Sequence, residues 1–108
     1  MKAGTALREA HEALAAIRTL SDALVGAAAA GDWAEVNALD ELRFELLSAL
    51  PEALFTSGDP VLQSVLEQAL EVTQSVLAQA RDAQRREAGA LRELHRAHRG
   101  ARAYLSVG

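Results

Sequence analysis

At 108 residues, half of them apolar, the chain has the length of a single domain and can bury roughly two-thirds of its unfolded surface. The absence of cysteine excludes a disulfide framework, thiolate metal sites and thiol catalysis. The net charge of −4 conceals an asymmetry: residues 1–80 carry four basic and twelve acidic side chains, whereas residues 81–108 carry seven arginines against Asp82, Glu87 and Glu93.

Alanine and leucine dominate, the only prolines are Pro51 and Pro60, and β-branched residues are scattered singly, so an all-α fold is expected. "MKAGTALREAHEAL" lacks the apolar centre of a secretion signal, and no stretch approaches 18 uncharged apolar residues. These features predict a soluble, cytoplasmic protein with no direct membrane insertion.

The first helix is expected over about residues 5–30, with Leu7, Ala10, Leu14, Ile17, Leu24 and Ala28 forming its packed stripe. Gly31 suits the position just past its end. Asp32 then caps a second helix over 32–50, with Trp33 at its first position and Glu35 completing an Asp-headed capping box. Its apolar positions are Val36, Leu39, Leu42, Phe44, Leu46, Leu47 and Leu50, and Pro51 stops it. "EALFTSG" reads as a short, loosely structured link in which Phe55 turns back onto the core.

Gly58, Asp59 and Pro60 open a third helix over 60–88, with 90–105 as a C-terminal arm or its continuation. Unbroken from Pro60 to His98 it would span about 57 Å, against about 27 Å for the second helix. The expected architecture is an antiparallel bundle of three helices with a long third helix and a C-terminal helical arm, in one domain spanning 1–108.

Val61, Leu62, Val65, Leu66, Ala69, Leu70, Val72, Val76, Leu77 and Ala80 occupy roughly 180° of the third helix, whereas a helix with one neighbour needs only about 100°. The surplus at Leu66, Leu70 and Leu77 lies at one margin of the arc, where a partner helix can bind. The pattern degrades after Ala83 and resumes weakly at Leu91, Leu94, Ala101 and Leu105. Trp33 reads either as a staple of the corner between the first two helices or as an anchor in a groove. Phe44 and Phe55 read first as core fillers.

Catalytic chemistry has little to work with, and no catalytic residue, cofactor or metal is expected. His95 and His98 can share a helix face, but Arg92, Arg96 and Arg99 around them oppose a cation. The reading adopted places His98 neutral on the apolar face and His95 in solvent. Histidine phosphotransfer modules present lysine three residues after the histidine and then glycine; His95 is followed there by His98 and Arg99, and His98 has Gly100 two residues on. Nucleic-acid binding is disfavoured by the acidic balance, by the lack of an aromatic platform beyond Tyr104 and by arginines that circle the helix. A solvated face, or a docking arm for an acidic partner, is the reading adopted.

"GDWAEVNALDELRFELLSAL" and the tail "GARAYLSVG" resemble the FliT family of flagellar type III export chaperones, through Asp32, Trp33, Glu35, the following Leu and Val positions and Tyr104. Members have a short first helix-turn unit, a tryptophan-opened second helix, a long third helix and a C-terminal segment ending in a tyrosine. The resemblance implies a chaperone that covers the aggregation-prone C-terminal segment of the filament-cap protein, keeps it monomeric and delivers it to the export apparatus. It also implies contacts of some members with the export ATPase complex or export gate and, in enteric bacteria, with a transcriptional regulator.

On this chain the implied partner-binding residues are Trp33, Val36, Phe44, Leu47, Leu66, Leu70 and Leu77. The implied regulatory arm, able to fold over the groove, carries Leu91, Leu94, His98, Arg99, Arg102, Tyr104 and Leu105. Ending at Gly108, the chain is expected to lack any longer regulatory tail. The alternative is a structural or regulatory oligomerisation module, a homodimer that closes the apolar surplus on its own copy; histidine phosphotransfer is the third option.

Overall fold

The computed structural model describes the backbone of residues 2–107 and the side chains of residues 7–100. Among the described residues all regular structure is helical: α1 is Lys2–Ala29, α2 Trp33–Ser48, α3 Glu52–Thr56 and α4 Pro60–Val107. The chain divides into two compact units, Met1–Leu77 and Ala78–Gly108.

Local backbone chemistry sets the boundaries. Gly31, at φ 71°, lets the chain reverse at the end of α1. Its N–H donates to the Ala28 carbonyl at 3.1 Å and the Asp32 N–H donates to the Ala27 carbonyl at 3.0 Å, which closes the last turn as a Schellman motif. The Asp32 carboxylate then accepts the Glu35 N–H at 3.2 Å. Only this half of the expected capping box forms, because the Asp32 N–H is already committed to α1.

Pro51 ends α2, and its carbonyl accepts the Leu54 N–H at 3.0 Å to start α3 where a loose link was expected. That one-turn helix buries Leu54, so Phe55, about 100° further around, is exposed rather than turned onto the core. Gly58, at φ 68°, makes the next reversal. Asp59 caps α4 through its carboxylate, which accepts the Val61 N–H at 2.8 Å, while its carbonyl accepts the Gln63 N–H at 3.2 Å. Pro60 stands at the first helical position, where a missing N–H leaves nothing unpaired.

The segments expected at 60–88 and 90–105 are one helix. Gly89 and Gly100 keep helical backbone, each costing about 1 kcal/mol relative to alanine, and the surrounding alanines, leucines and arginines are strong enough helix formers to carry them.

The core of the first unit has two apolar layers. One joins Ala10, Leu14 and Ile17 of α1 with Leu50, Leu54, Leu62 and Val65, flanked by Leu46, Leu47 and Leu66. The other joins Leu24 and Ala28 with Val36 and Val72, flanked by Trp33, Leu39 and Val76. Leu7, Leu42 and Phe44, expected on packed stripes, are exposed. For α2 the reason is that Arg43 holds the centre of the inward face, which puts Leu42 and Phe44 about 100° to either side.

Arg43 lies between the two layers at 4% exposure. Its Nη1 donates to Ser21 Oγ and to the Ala69 carbonyl, both at 3.2 Å. Its Nη2 donates to Asp40 Oδ1 at 3.2 Å and to Thr73 Oγ1. A guanidinium cannot escape burial by losing its proton, so these acceptors on α1, α2 and α4 are what make its place tolerable. A polar seam joins α1 to α4 near the surface: Arg18 Nη2 donates to Ser64 Oγ and Gln68 Nε2 to Asp22 Oδ1, both at 2.9 Å, and His11 Nε2 meets Asp59 Oδ2 at 3.1 Å.

Arg43→Ala should cost roughly 3–5 kcal/mol in urea unfolding, since it leaves a cavity and orphans the acceptors around it, whereas Arg43→Met should cost less than half as much because it refills the volume. Equal losses in the two variants would show that the hydrogen bonds alone set the cost.

The hydrogen bond from His11, followed by that from the Val61 N–H, holds the Asp59 carboxyl below its ordinary range. Because the folded-state value is depressed, the stability it contributes is present above pH about 3.8 and fades as pH falls through the folded value. Asp59→Asn keeps a capping side chain but cannot ionise. Its stability deficit at pH 7, measured by urea unfolding, should therefore shrink as pH approaches 3; a deficit independent of pH would count against the coupling.

Candidate functional site

Because Arg43 Nη2 touches both Asp40 and Thr73, the flank of α2 that carries Asp40 faces α4. Phe44 follows Asp40 by four residues and therefore lies on the same flank. On α4, Leu66, Leu70, Thr73 and Leu77 recur at steps of four, three and four, so they share the margin that faces α2. On these margins Phe44, Leu70 and Leu77 stand 68%, 59% and 50% exposed, and Leu47 and Leu66 are half-buried.

The residues expected to bind a partner thus fall into three groups. Phe44, Leu70 and Leu77 offer open apolar surface. Trp33, Leu47 and Leu66 are half-buried, with Trp33 packed on the second apolar layer. Val36 is buried in that layer, without open surface of its own.

In the second unit, Leu91, Leu94, His98 and Arg99 are exposed, while the side chains of Arg102, Tyr104 and Leu105 lie outside the described residues. His98 does not pack on an apolar face as expected; its side chain is exposed. The arginines do not circle the helix either. With α4 continuous, Arg81, Arg85, Arg92, Arg96 and Arg99 fall within roughly a 60° arc, and only Arg86 among the described ones lies elsewhere. Of these, Arg85 is paired, with Asp82 at 3.5 Å.

Sequence reading missed the polar members of the site. Asp40, whose side chain is 61% exposed, stands on the same flank as Phe44 with one oxygen tied to Arg43. Glu41 and Glu67 precede Phe44 and Leu70 by three residues, which sets each about 60° further out and places a carboxylate on either rim. The signal available was the charge run itself: residues 32–77 hold nine acidic side chains and a single basic one, Arg43.

Among the described residues, no group of three His, Asp or Glu side chains is placed to hold a metal ion, and no helix is long and apolar enough to cross a membrane. The arrangement is an apolar strip, partly open, with carboxylates beside it. No curated protein and no solved structure matches the chain. Over residues 11–106, however, it matches the family model described as flagellar protein FliT. The chain belongs to the FliT family of flagellar export chaperones.

Proposed function

We propose that the protein is a cytoplasmic, non-enzymatic chaperone whose α2–α4 groove takes up the C-terminal segment of the flagellar filament-cap protein, blocks its premature self-association and hands it to the type III export apparatus. In this reading α1, α2 and the first part of α4 form an antiparallel three-helix bundle within one export-chaperone domain, 1–108. The observation that carries the proposal is the open apolar strip of Phe44, Leu70 and Leu77 beside a floor of half-buried leucines.

Magnitudes say what the client must bring. The three side chains are already partly covered, so finishing their burial contributes about 1–1.5 kcal/mol each, well short of the roughly 8 kcal/mol of a micromolar complex. The client must therefore bury an apolar face of its own, as an amphipathic helix laid into a groove does. Contacts with the export ATPase complex or the export gate fall to the second unit in this reading, where Leu91 and Leu94 and the arginine flank are exposed and where Leu91 to Leu105 would act as the regulatory arm. Nucleic acid is not a partner in this reading.

Phe44→Asp combined with Leu70→Asp should weaken binding of a cap-protein C-terminal peptide by at least about thirtyfold while moving the unfolding free energy by less than about 1 kcal/mol, because both side chains are solvent-facing. Leu7→Asp, an exposed change on α1, should leave binding intact. Undiminished affinity in a folded double variant would remove the groove from the proposal. A dimer that persists on dilution in light scattering, and that Phe44→Asp dissociates, would favour the oligomerisation reading instead.

A further inference from the structure

The groove has a sign as well as a shape. Between Asp32 and Leu77 the one basic side chain, Arg43, points inward and is buried, so the outer faces of α2 and of this part of α4 present carboxylates without a cation among them. Asp40 stands inside the groove, Glu41 borders it on α2 and Glu67 borders it on α4. Neither glutamate is held in an ion pair among the described residues. Up to Leu77, one turn before Arg81 on the same margin of α4, an apolar floor lies between acidic rims, and that stretch is complementary to one kind of helix.

We infer that the occupant of the groove is an amphipathic helix whose apolar stripe is flanked by lysine or arginine on both edges. This rests on the groove reading above and adds the chemistry of its partner. The apolar stripe covers Phe44, Leu70 and Leu77; a cation on one edge meets Glu41 and the free oxygen of Asp40, and a cation on the other meets Glu67. Charges at a rim act mainly on encounter and on discrimination: they concentrate a cationic segment near the groove, and they turn away a helix of the same greasy face with acidic edges. They also make recognition sensitive to salt, since exposed charges are screened over about 10 Å at 0.1 M. A phosphate backbone or an anionic bilayer is repelled by the same rims.

Two synthetic helical peptides sharing one leucine–alanine stripe, one with lysines and one with glutamates at the flanking positions, are titrated into the full-length protein. Binding is followed by calorimetry and by the fluorescence of Trp33, the sole tryptophan, beside the groove. At low ionic strength the lysine-flanked peptide should bind at least about tenfold more tightly, and the ratio should collapse toward one at high salt. The double change Glu41→Gln, Glu67→Gln should remove most of the ratio without altering the unfolding midpoint.

Equal affinities for the two peptides would overturn the inference and leave the groove in place. Failure of both to bind, while the cap-protein peptide still depends on Phe44 and Leu70, would do the same. Loss of that dependence as well would take down the groove with it. Binding of the lysine peptide only after Arg92, Arg96 and Arg99 are changed to glutamate would assign the groove to the chain's own arginine-rich segment and overturn the inference in favour of that occupant.

Discussion

A buried guanidinium organises this molecule. Moving Arg43 out of water costs several kcal/mol before any attraction is counted, and the fold meets that cost only where acceptors from three helices converge. Ser21 supplies one from α1, Asp40 one from α2, and Ala69 and Thr73 two from α4. Apolar layers above and below drive the helices together but tolerate rotation and sliding, because leucine against leucine is satisfied in many registers. Four directed hydrogen bonds are not. Shifting α2 by one turn would carry Arg43 away from Ser21 and Thr73 at once, so the polar layer fixes a register that the greasy layers alone leave loose.

The exposed apolar strip follows from that register. With Arg43 pointing inward, Asp40 is drawn to the α4 side and Phe44 is carried out beside it, which leaves a large aromatic side chain at 68% exposure in a chain with only four aromatic residues. Filling the inward position with leucine would free α2 to roll and bury Phe44 in exchange for an outer residue. Surface exposure of Phe44 is thus the counterpart of a charged core position, and the two should be regarded as one design element. The acidic surroundings have a similar origin: the only cation in this part of the chain is consumed by the interior, so the exterior is left with carboxylates alone.

How much of this was legible in the sequence depends on the range of the interaction. Gly31, Asp32, Gly58, Asp59 and Pro60 act within a few residues of themselves, and the helix boundaries they announce are where the backbone places them. Short-range signals failed where tertiary contact decided the outcome. Leu54 and Phe55 are adjacent apolar residues, and nothing local says which one the first apolar layer will accept; once Leu54 is taken, helical geometry turns Phe55 outward. Arg43 was readable in retrospect. It stands seven residues from both Val36 and Leu50, in the middle of the inward face, and the stripe of α1 skips from Ile17 to Leu24 with Ser21 in the gap. A charged residue on one stripe and a hydroxyl on another mark a polar layer only when the two are considered together, because neither is anomalous alone. The exposure of Leu70 and Leu77 was legible as an over-wide arc on the third helix, whereas Phe44, on α2, read first as a core filler and is exposed; the carboxylates beside them were passed over because charge was averaged along the chain instead of being assigned to a face.

The division of labour among side chains has a further consequence. The fully buried Leu14, Ile17, Leu24 and Val65 sit on α1 and on the inward side of α4, whereas Phe44, Leu70 and Leu77 are half or more exposed. In the proposed reading, stability and recognition therefore draw on nearly separate sets of residues, joined at Arg43 and Asp40. If the groove takes up a helix as proposed, substitutions in it change which helix is accepted while leaving the interior intact, and substitutions in the two apolar layers change stability without redrawing the surface. Asp40 is the exception, because its carboxylate both satisfies the buried guanidinium and faces the groove. A partner cation that drew on its free oxygen would strengthen the charge network through the bundle, so occupancy of the groove and rigidity of the helix register would rise together.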